Sequence, residues 1–276
     1  MFGKLLKHEF LATGRIMAIV YGVIAVLSAY ILGSFFLGDK TIEEMNITEA
    51  FSILLLFLVA LVNVVLTIVV TMSNFQKSLY GDQGYLTFTL PVKSFPLLSS
   101  KIFVATFWYI LAAFTTVAAS MIVMSVAERN VGETGIGMIE MLLGLYDPNL
   151  SIGIIIFWFA TYLINFFFTA LLMTLEVCFA ITISNTRPFQ KHHVLFTLLF
   201  SGIAIAVVSK IITAISDAVT FGFNYNIDTK SMEVVTNILD INMSFVDLVN
   251  PILTIVLTVV FFIATHFVMS KKVNIR

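Results

Sequence analysis

The sequence predicts an all-α membrane protein with six transmembrane helices. Of its 276 residues, 59% are hydrophobic and only 11% are charged, whereas an average soluble domain carries about a quarter charged residues. The apolar residues occur in continuous runs, without the alternation that the strands of a β-barrel require. The formal net charge of −1 provides no general basic field, so we expect no nucleic-acid partner.

Six segments are long and apolar enough to cross a bilayer, which takes about 20 residues of helix. The fourth is too long for one straight crossing, so we expect it to tilt, to kink or to begin as an interfacial segment. Together the six form a single predicted transmembrane domain over residues 1–276. The segments cover approximately residues 16–37, 51–72, 102–126, 152–183, 194–215 and 251–269.

The basic residues predict the orientation of the chain. The two termini and loops 73–101 and 184–193 share one side, which carries eleven Lys and Arg residues. The opposite side, with loops 38–50, 127–151 and 216–250, carries three. Because basic residues concentrate on the cytoplasmic side, we expect both termini in the cytoplasm. Nothing in the sequence is typical of a eukaryotic protein, so we expect a multi-pass protein of a bacterial plasma membrane.

The first 15 residues predict an amphipathic helix that lies in the membrane interface. Leu5, Leu6 and Phe10 recur at helical spacing, while Lys4 and Lys7 occupy the opposite face. Such a helix places its apolar face in the lipid and its cations near anionic headgroups. It is either a simple membrane anchor or an element that senses a cytoplasmic subunit.

The sequence lacks the motifs of the common enzyme classes. It contains no GxxxxGK[ST] loop, no HExxH and no GxSxG, so we expect no catalytic residue, no metal site and no cofactor in this chain. The adjacent His192 and His193 have no acidic or Cys partner nearby in the sequence. The single Cys178 excludes a disulfide within the chain.

The cytoplasmic loop 73–101 is unusually long for a connection in a compact bundle. Asp82, between two glycines, can cap a following turn, and Pro91 ends the short apolar helix that we predict after it. The protruding side chains of this helix suit docking into a groove on another protein, or packing against the lipid interface. The helix contains Tyr85, Leu86, Phe88 and Leu90.

This loop resembles the signature of the type 2 ABC-transporter permeases. That signature has an acidic residue, a Gly two positions later, a Leu, a Leu-x-Pro-like turn, paired leucines and a Lys before the third span. Tyr85 stands where the commoner form has Thr. The matching residues are Asp82, Gly84, Leu86, Leu90, Pro91, Leu97, Leu98 and Lys101.

The resemblance implies a permease in a homodimer, or in a pair of related permeases, bound to two ABC ATPase subunits that bind and hydrolyse ATP. It also implies that the short helix around residues 85–90 is a coupling helix seated in an ATPase groove. Within the family, the chain is most similar to Gram-positive permeases that export peptides or antimicrobial agents, such as phenol-soluble modulins. We therefore expect export of a hydrophobic or amphipathic substrate, with a peptide as the first candidate.

Several polar residues within the spans are candidates for the lining of a translocation path. Glu176 lies about 12 Å from the cytoplasmic end of the fourth span, where an unpaired carboxylate is costly; its role is either structural or in substrate contact. A polar stripe on the second span either joins helices or lines a water path. The candidates are Asn63, Thr67, Thr71, Glu176 and Ser201.

Two other classes of function stay open. An ATP-independent secondary transporter normally shows internal repeats and interrupted spans, which this sequence does not show convincingly. A non-transporting membrane sensor or scaffold would use its large outer loops as the receptor. For the largest of these, residues 216–250, we expect short helices that dip into the membrane.

Overall fold

A computed structural model confirms the all-α membrane class with six long apolar helices. It describes residues 2–37, 46–80, 94–128, 152–186, 189, 192–226, 231–236 and 246–271. The helices are α1 (Phe2–Leu32), α2 (Ile47–Leu79), α3 (Ser94–Glu128), α4 (Ile152–Ser184), α5 (His193–Ala218) and α6 (Val249–Lys271).

Most of the helices are longer than the predicted spans. The 31-residue α1 runs from the predicted interfacial segment into the first span without a break, and the π-helical turn Gly33–Leu37 completes that span. Residues 2–15 are therefore helical as predicted but do not form a separate helix. A helix hydrogen-bonds its own backbone, and it therefore continues beyond the apolar run that marks the hydrocarbon core. The orientation of the termini stays a prediction.

The chain forms two compact units. The first unit comprises residues 1–74 and 107–144, and the second comprises residues 75–106 and 145–276. Two helices, α2 and α3, contribute to both units, because the boundaries at 74/75 and 106/107 fall within them. The prediction of a single transmembrane domain over residues 1–276 stays a prediction.

The core of the first unit is formed by α1, α2 and α3. Each of these helices contributes small or branched apolar side chains at helical spacing, which is the pattern of a face buried against neighbours. At its end, α1 changes into a π-helical turn, Gly33–Leu37, and Phe35 of this turn is buried in the same core. The other core residues are Ile24, Ile31, Leu56, Ala60, Ala119 and Val126.

In the second unit, α4 packs against both α5 and α6. The buried face of α6 carries Thr254, Thr258 and Thr265, which are at most 4% exposed. Each donates its hydroxyl proton to a carbonyl of α6 itself, four residues earlier in the chain. In an apolar surrounding, a hydroxyl bonded in this way needs no partner on another helix.

Three short strands join α5 to α6. They are β1 (Gly222–Asn226), β2 (Ser231–Val235) and β3 (Val246–Asp247), and they form an antiparallel sheet in the order β2-β1-β3. The expectation of short helices is therefore wrong for these residues. Aromatic and β-branched residues such as Phe223 and Val234 favour strands, and contacts of the sheet with Phe157 and Trp158 hold it on α4.

Candidate functional site

The predicted coupling residues lie outside the part of the chain that the structure describes. The gap between α2 and α3 covers residues 81–93. The roles predicted for the coupling residues in this gap stay predictions. The residues concerned are Asp82, Gly84, Tyr85, Leu86, Phe88, Leu90 and Pro91.

The end of α2 that enters this gap is fixed to α4. The Tyr80 hydroxyl donates a hydrogen bond to Thr182 Oγ1 at 3.0 Å, and the neighbouring Leu79 is completely buried. Burial raises the pKa of the Tyr80 phenol above its usual range, although the hydrogen bond with Thr182 offsets part of that rise. This contact was not predicted, because its two residues are 102 positions apart in the sequence.

The start of α3, after the gap, is fixed to α4 and α6. The ring of Phe95 packs edge-on against Phe262, with a centroid distance of 5.5 Å. One and a half helical turns further on, Lys101 is only 6% exposed. Thr106 donates a hydrogen bond to Thr174 of α4 at 3.3 Å. Both flanks of the gap therefore belong to the packed second unit.

The polar stripe on α2 is buried in the first unit. Asn63 and Thr67 are completely buried and Thr71 is 7% exposed. The Asn63 amide donates to Thr115 Oγ1 at 3.0 Å, which joins α2 to α3. Thr67 and Thr71 donate to the carbonyls of residues four positions earlier. One polar atom of the stripe, Asn63 Oδ1, is buried without a hydrogen-bond partner in the described structure.

Two further polar contacts in the first unit were not predicted. The Trp108 indole donates to Thr13 Oγ1 at 2.8 Å, and the Asn74 amide donates to Glu9 Oε2 at 2.7 Å. Two signals in the sequence point to them. A Trp within a span usually needs a partner for its N–H, and Glu9 is the only acid among the first 15 residues, whose other charged residues are basic.

Glu176 is buried in the second unit. Its side chain is 2% exposed, and Oε2 has no hydrogen-bond partner among the described residues. At 3.6 residues per turn, Glu176 shares a face of α4 with Asn165 and Thr169, which are linked by a hydroxyl–amide hydrogen bond.

Ser201, the last path candidate, is 8% exposed on α5. Its hydroxyl donates to the carbonyl of Leu198, so its proton is used within its own helix while its oxygen can still accept. One turn earlier, Thr197 shares a 2.6 Å hydrogen bond with Ser184 of α4. The buried face of α5 is thereby joined to the end of α4.

The arrangement offers polar groups for binding and helix contact. Within the described ranges, no group of three or more His, Cys, Asp or Glu residues could hold a metal ion. Comparisons with protein-family models, with curated proteins and with solved structures find no match for this chain.

Proposed function

We propose that this chain is the transmembrane permease subunit of an ATP-driven ABC exporter in a bacterial plasma membrane. It would work as a homodimer or with a related permease, and two separate ATPase subunits would bind and hydrolyse ATP. The cargo would be hydrophobic or amphipathic, with a peptide toxin or antimicrobial peptide as the first candidate.

The observation that carries the proposal is the anchoring of both flanks of loop 81–93. A loop that is displaced by an ATPase can transmit this displacement to the spans only if both of its ends are attached to packed helices. The hydrogen bond from Tyr80 to Thr182 and the ring contact of Phe95 with Phe262 provide such attachment. The same loop carries the signature that resembles ABC permeases.

The buried polar residues support transport as the class of function. A carboxyl such as Glu176, buried in a span without a partner for one oxygen, reduces stability and is typical of functional positions in membranes. The stripe of Asn63, Thr67 and Thr71 on α2 offers further polar groups in the first unit.

Co-purification with ABC ATPases tests the proposal. Each candidate ATPase is co-expressed with the tagged chain, and a stable complex is expected with the right one. The double variant Tyr85→Asp plus Phe88→Asp should abolish the complex, because two carboxylates would have to enter an apolar groove. The matched control is Val219→Asp plus Phe221→Asp, at positions that are 50% and 39% exposed on the predicted outer side.

The possible outcomes separate the proposal from its rivals. Complex formation with wild type and control, and its loss in the loop variant, supports a permease. Reconstituted transport without any ATPase would favour a secondary transporter. A signal that depends on the outer loops, without any transport, would favour a sensor.

A further inference from the structure

A small polar pocket lies where α4 and α6 meet the sheet. Its volume is about 140 Å³, enough for roughly four or five water molecules at about 30 Å³ each. All of its lining residues belong to the second unit. They are Thr161, Tyr162, Asn165, Val246, Asp247, Asn250 and Pro251.

The pocket carries one formal charge, the carboxylate of Asp247. None of its described lining residues is basic. The two oxygens of Asp247 accept hydrogen bonds from the backbone N–H groups of Val249 and Asn250, at 2.9 and 3.3 Å. Because the carboxylate already occupies the start of α6, an anion would meet a like charge there.

Oxygen atoms dominate the polar lining. The lining residues carry two hydroxyl groups, two side-chain amides and one carboxylate. An ionised carboxylate has about four lone-pair sites, of which two are used here. A single carboxylate is a poor match for a divalent ion, which prefers several charged oxygen ligands. The ring of Tyr162 and the apolar surface of Pro251 add the environment that suits an organic cation.

The position of the pocket limits the possible ligands further. Asp247 comes two residues before Val249, the first residue of the α6 span. The pocket therefore lies at an end of the apolar segment, where lipid headgroups meet hydrocarbon. We propose that it binds a primary ammonium group, supplied either by a lipid headgroup or by a free amine. This binding does not depend on the proposed transport function.

A thermal-shift titration tests the site. The whole protein in phosphatidylglycerol nanodiscs is titrated with ethanolamine hydrochloride at pH 7, with sodium chloride at equal ionic strength as reference. We expect a saturable rise in Tm with ethanolammonium only, because a ligand that binds the folded state stabilises it by mass action.

The key variant is Asp247→Asn, which removes the negative charge. Its single amide oxygen can accept only one of the two hydrogen bonds that the carboxylate accepts at the start of α6, so the ligand-induced shift is measured from the variant's own Tm without ligand. We expect its affinity for ethanolammonium to fall about tenfold or more, the value of a charge-assisted hydrogen bond. The matched control Glu233→Gln removes one negative charge from the exposed face of the same sheet and should bind like wild type. Tyr162→Leu, at a residue 58% exposed, gives a second test that leaves the cap intact and should also weaken binding.

Lipid composition distinguishes the two sources of the ammonium group. If phosphatidylethanolamine in the nanodisc suppresses the ethanolammonium shift, the site is filled by a lipid headgroup; an unchanged shift indicates a free amine. The proposal is overturned if wild type shows no saturable shift, if Asp247→Asn responds like wild type, or if sodium gives the same effect.

Discussion

The Tyr80 hydroxyl lies 3.0 Å from Thr182 Oγ1 and joins the end of α2 to the buried face of α4. Thr182 also donates to the carbonyl of Cys178 at 2.8 Å, so its oxygen accepts one proton and donates another. Tyr80, Thr182 and the Cys178 carbonyl thus form a short chain of hydrogen bonds. This chain lies next to the loop that we propose to contact the ATPase.

We expect Tyr80→Phe to lower the free energy of unfolding by about 1 kcal/mol, the net value of one hydrogen bond. Thr182 keeps its bond to the Cys178 carbonyl, so no donor is left unsatisfied. In the assembled transporter, the loss of one anchor should lower transport per ATP hydrolysed more than the ATPase rate itself. Equal reductions of both rates would contradict a role of Tyr80 in coupling.

The raised pKa of the Tyr80 phenol, caused chiefly by burial, predicts a loss of stability in alkali. In the unfolded chain the pKa is about 10, so ionisation there favours unfolding as the pH rises above that value, while the folded phenol stays neutral. Wild type should therefore lose stability progressively as the pH rises above about 10, and Tyr80→Phe should lose less. If the free energy of unfolding fell equally with pH in wild type and in Tyr80→Phe, Tyr80 would have its usual pKa in the folded protein.

Thr13→Val should destabilise the first unit by about 1–3 kcal/mol, because it leaves the Trp108 N–H without its acceptor in an apolar core. Thr13→Ser is the matched control, since it keeps the hydroxyl and removes only a methyl group. Denaturation followed by the fluorescence of Trp108, in a Trp158→Phe background, measures both variants. Similar stability of the Val and Ser variants would refute the argument.

The contact between Asn74 and Glu9 predicts non-additive mutations. Asn74→Ala leaves a carboxylate that is only 9% exposed without its amide donor, which is 2.7 Å away in the native protein. In a Glu9→Gln background, Asn74→Ala should lower the free energy of unfolding by a smaller amount. We expect a coupling energy of about 1 kcal/mol or more. A double-mutant cycle on unfolding free energies measures this value, and additivity would exclude the interaction.

Glu176→Gln should raise Tm, because the amide has no charge to desolvate at a position that is 2% exposed. If Glu176 contacts the cargo, the same variant should lose substrate-stimulated ATP hydrolysis, as expected for a functional position that reduces stability. Glu49→Gln, which alters another buried carboxyl near the start of α2, serves as the comparison. Unchanged stimulation in Glu176→Gln would remove Glu176 from the path candidates.

Hydropathy was sufficient to predict the six helices, because a bilayer demands long apolar segments whatever their partners are. It was also sufficient to mark the polar positions of α2, since Asn63, Thr67 and Thr71 repeat every four residues. Their partners were beyond prediction. Contacts such as Asn63 with Thr115 depend on how separate helices pack, and spacing within one helix carries no information about that.

The strands of residues 222–247 show a second limit. Their apolar runs are only a few residues long, and short runs of this kind do not distinguish strand from helix. Pairing between strands, such as that of Phe223 with Val234, decides in favour of the sheet, and this pairing cannot be predicted from either short run alone. The role that we propose for Asp247 likewise depends on the fold, which places Asp247 and Asn165 in the lining of the same pocket.

The threonines of α6 have a mechanical consequence. Thr258 and Thr265 donate their hydroxyl protons to carbonyls of their own helix. They therefore donate no hydrogen bond to α4 that a shift of α6 would have to break. Among the described residues, the hydrogen bond that the threonines of α6 make to α4 is one long contact, 3.5 Å from Thr254 to Asn165. Sliding of α6 along its neighbour is then resisted mainly by side-chain shape, which permits small displacements at low enthalpic cost.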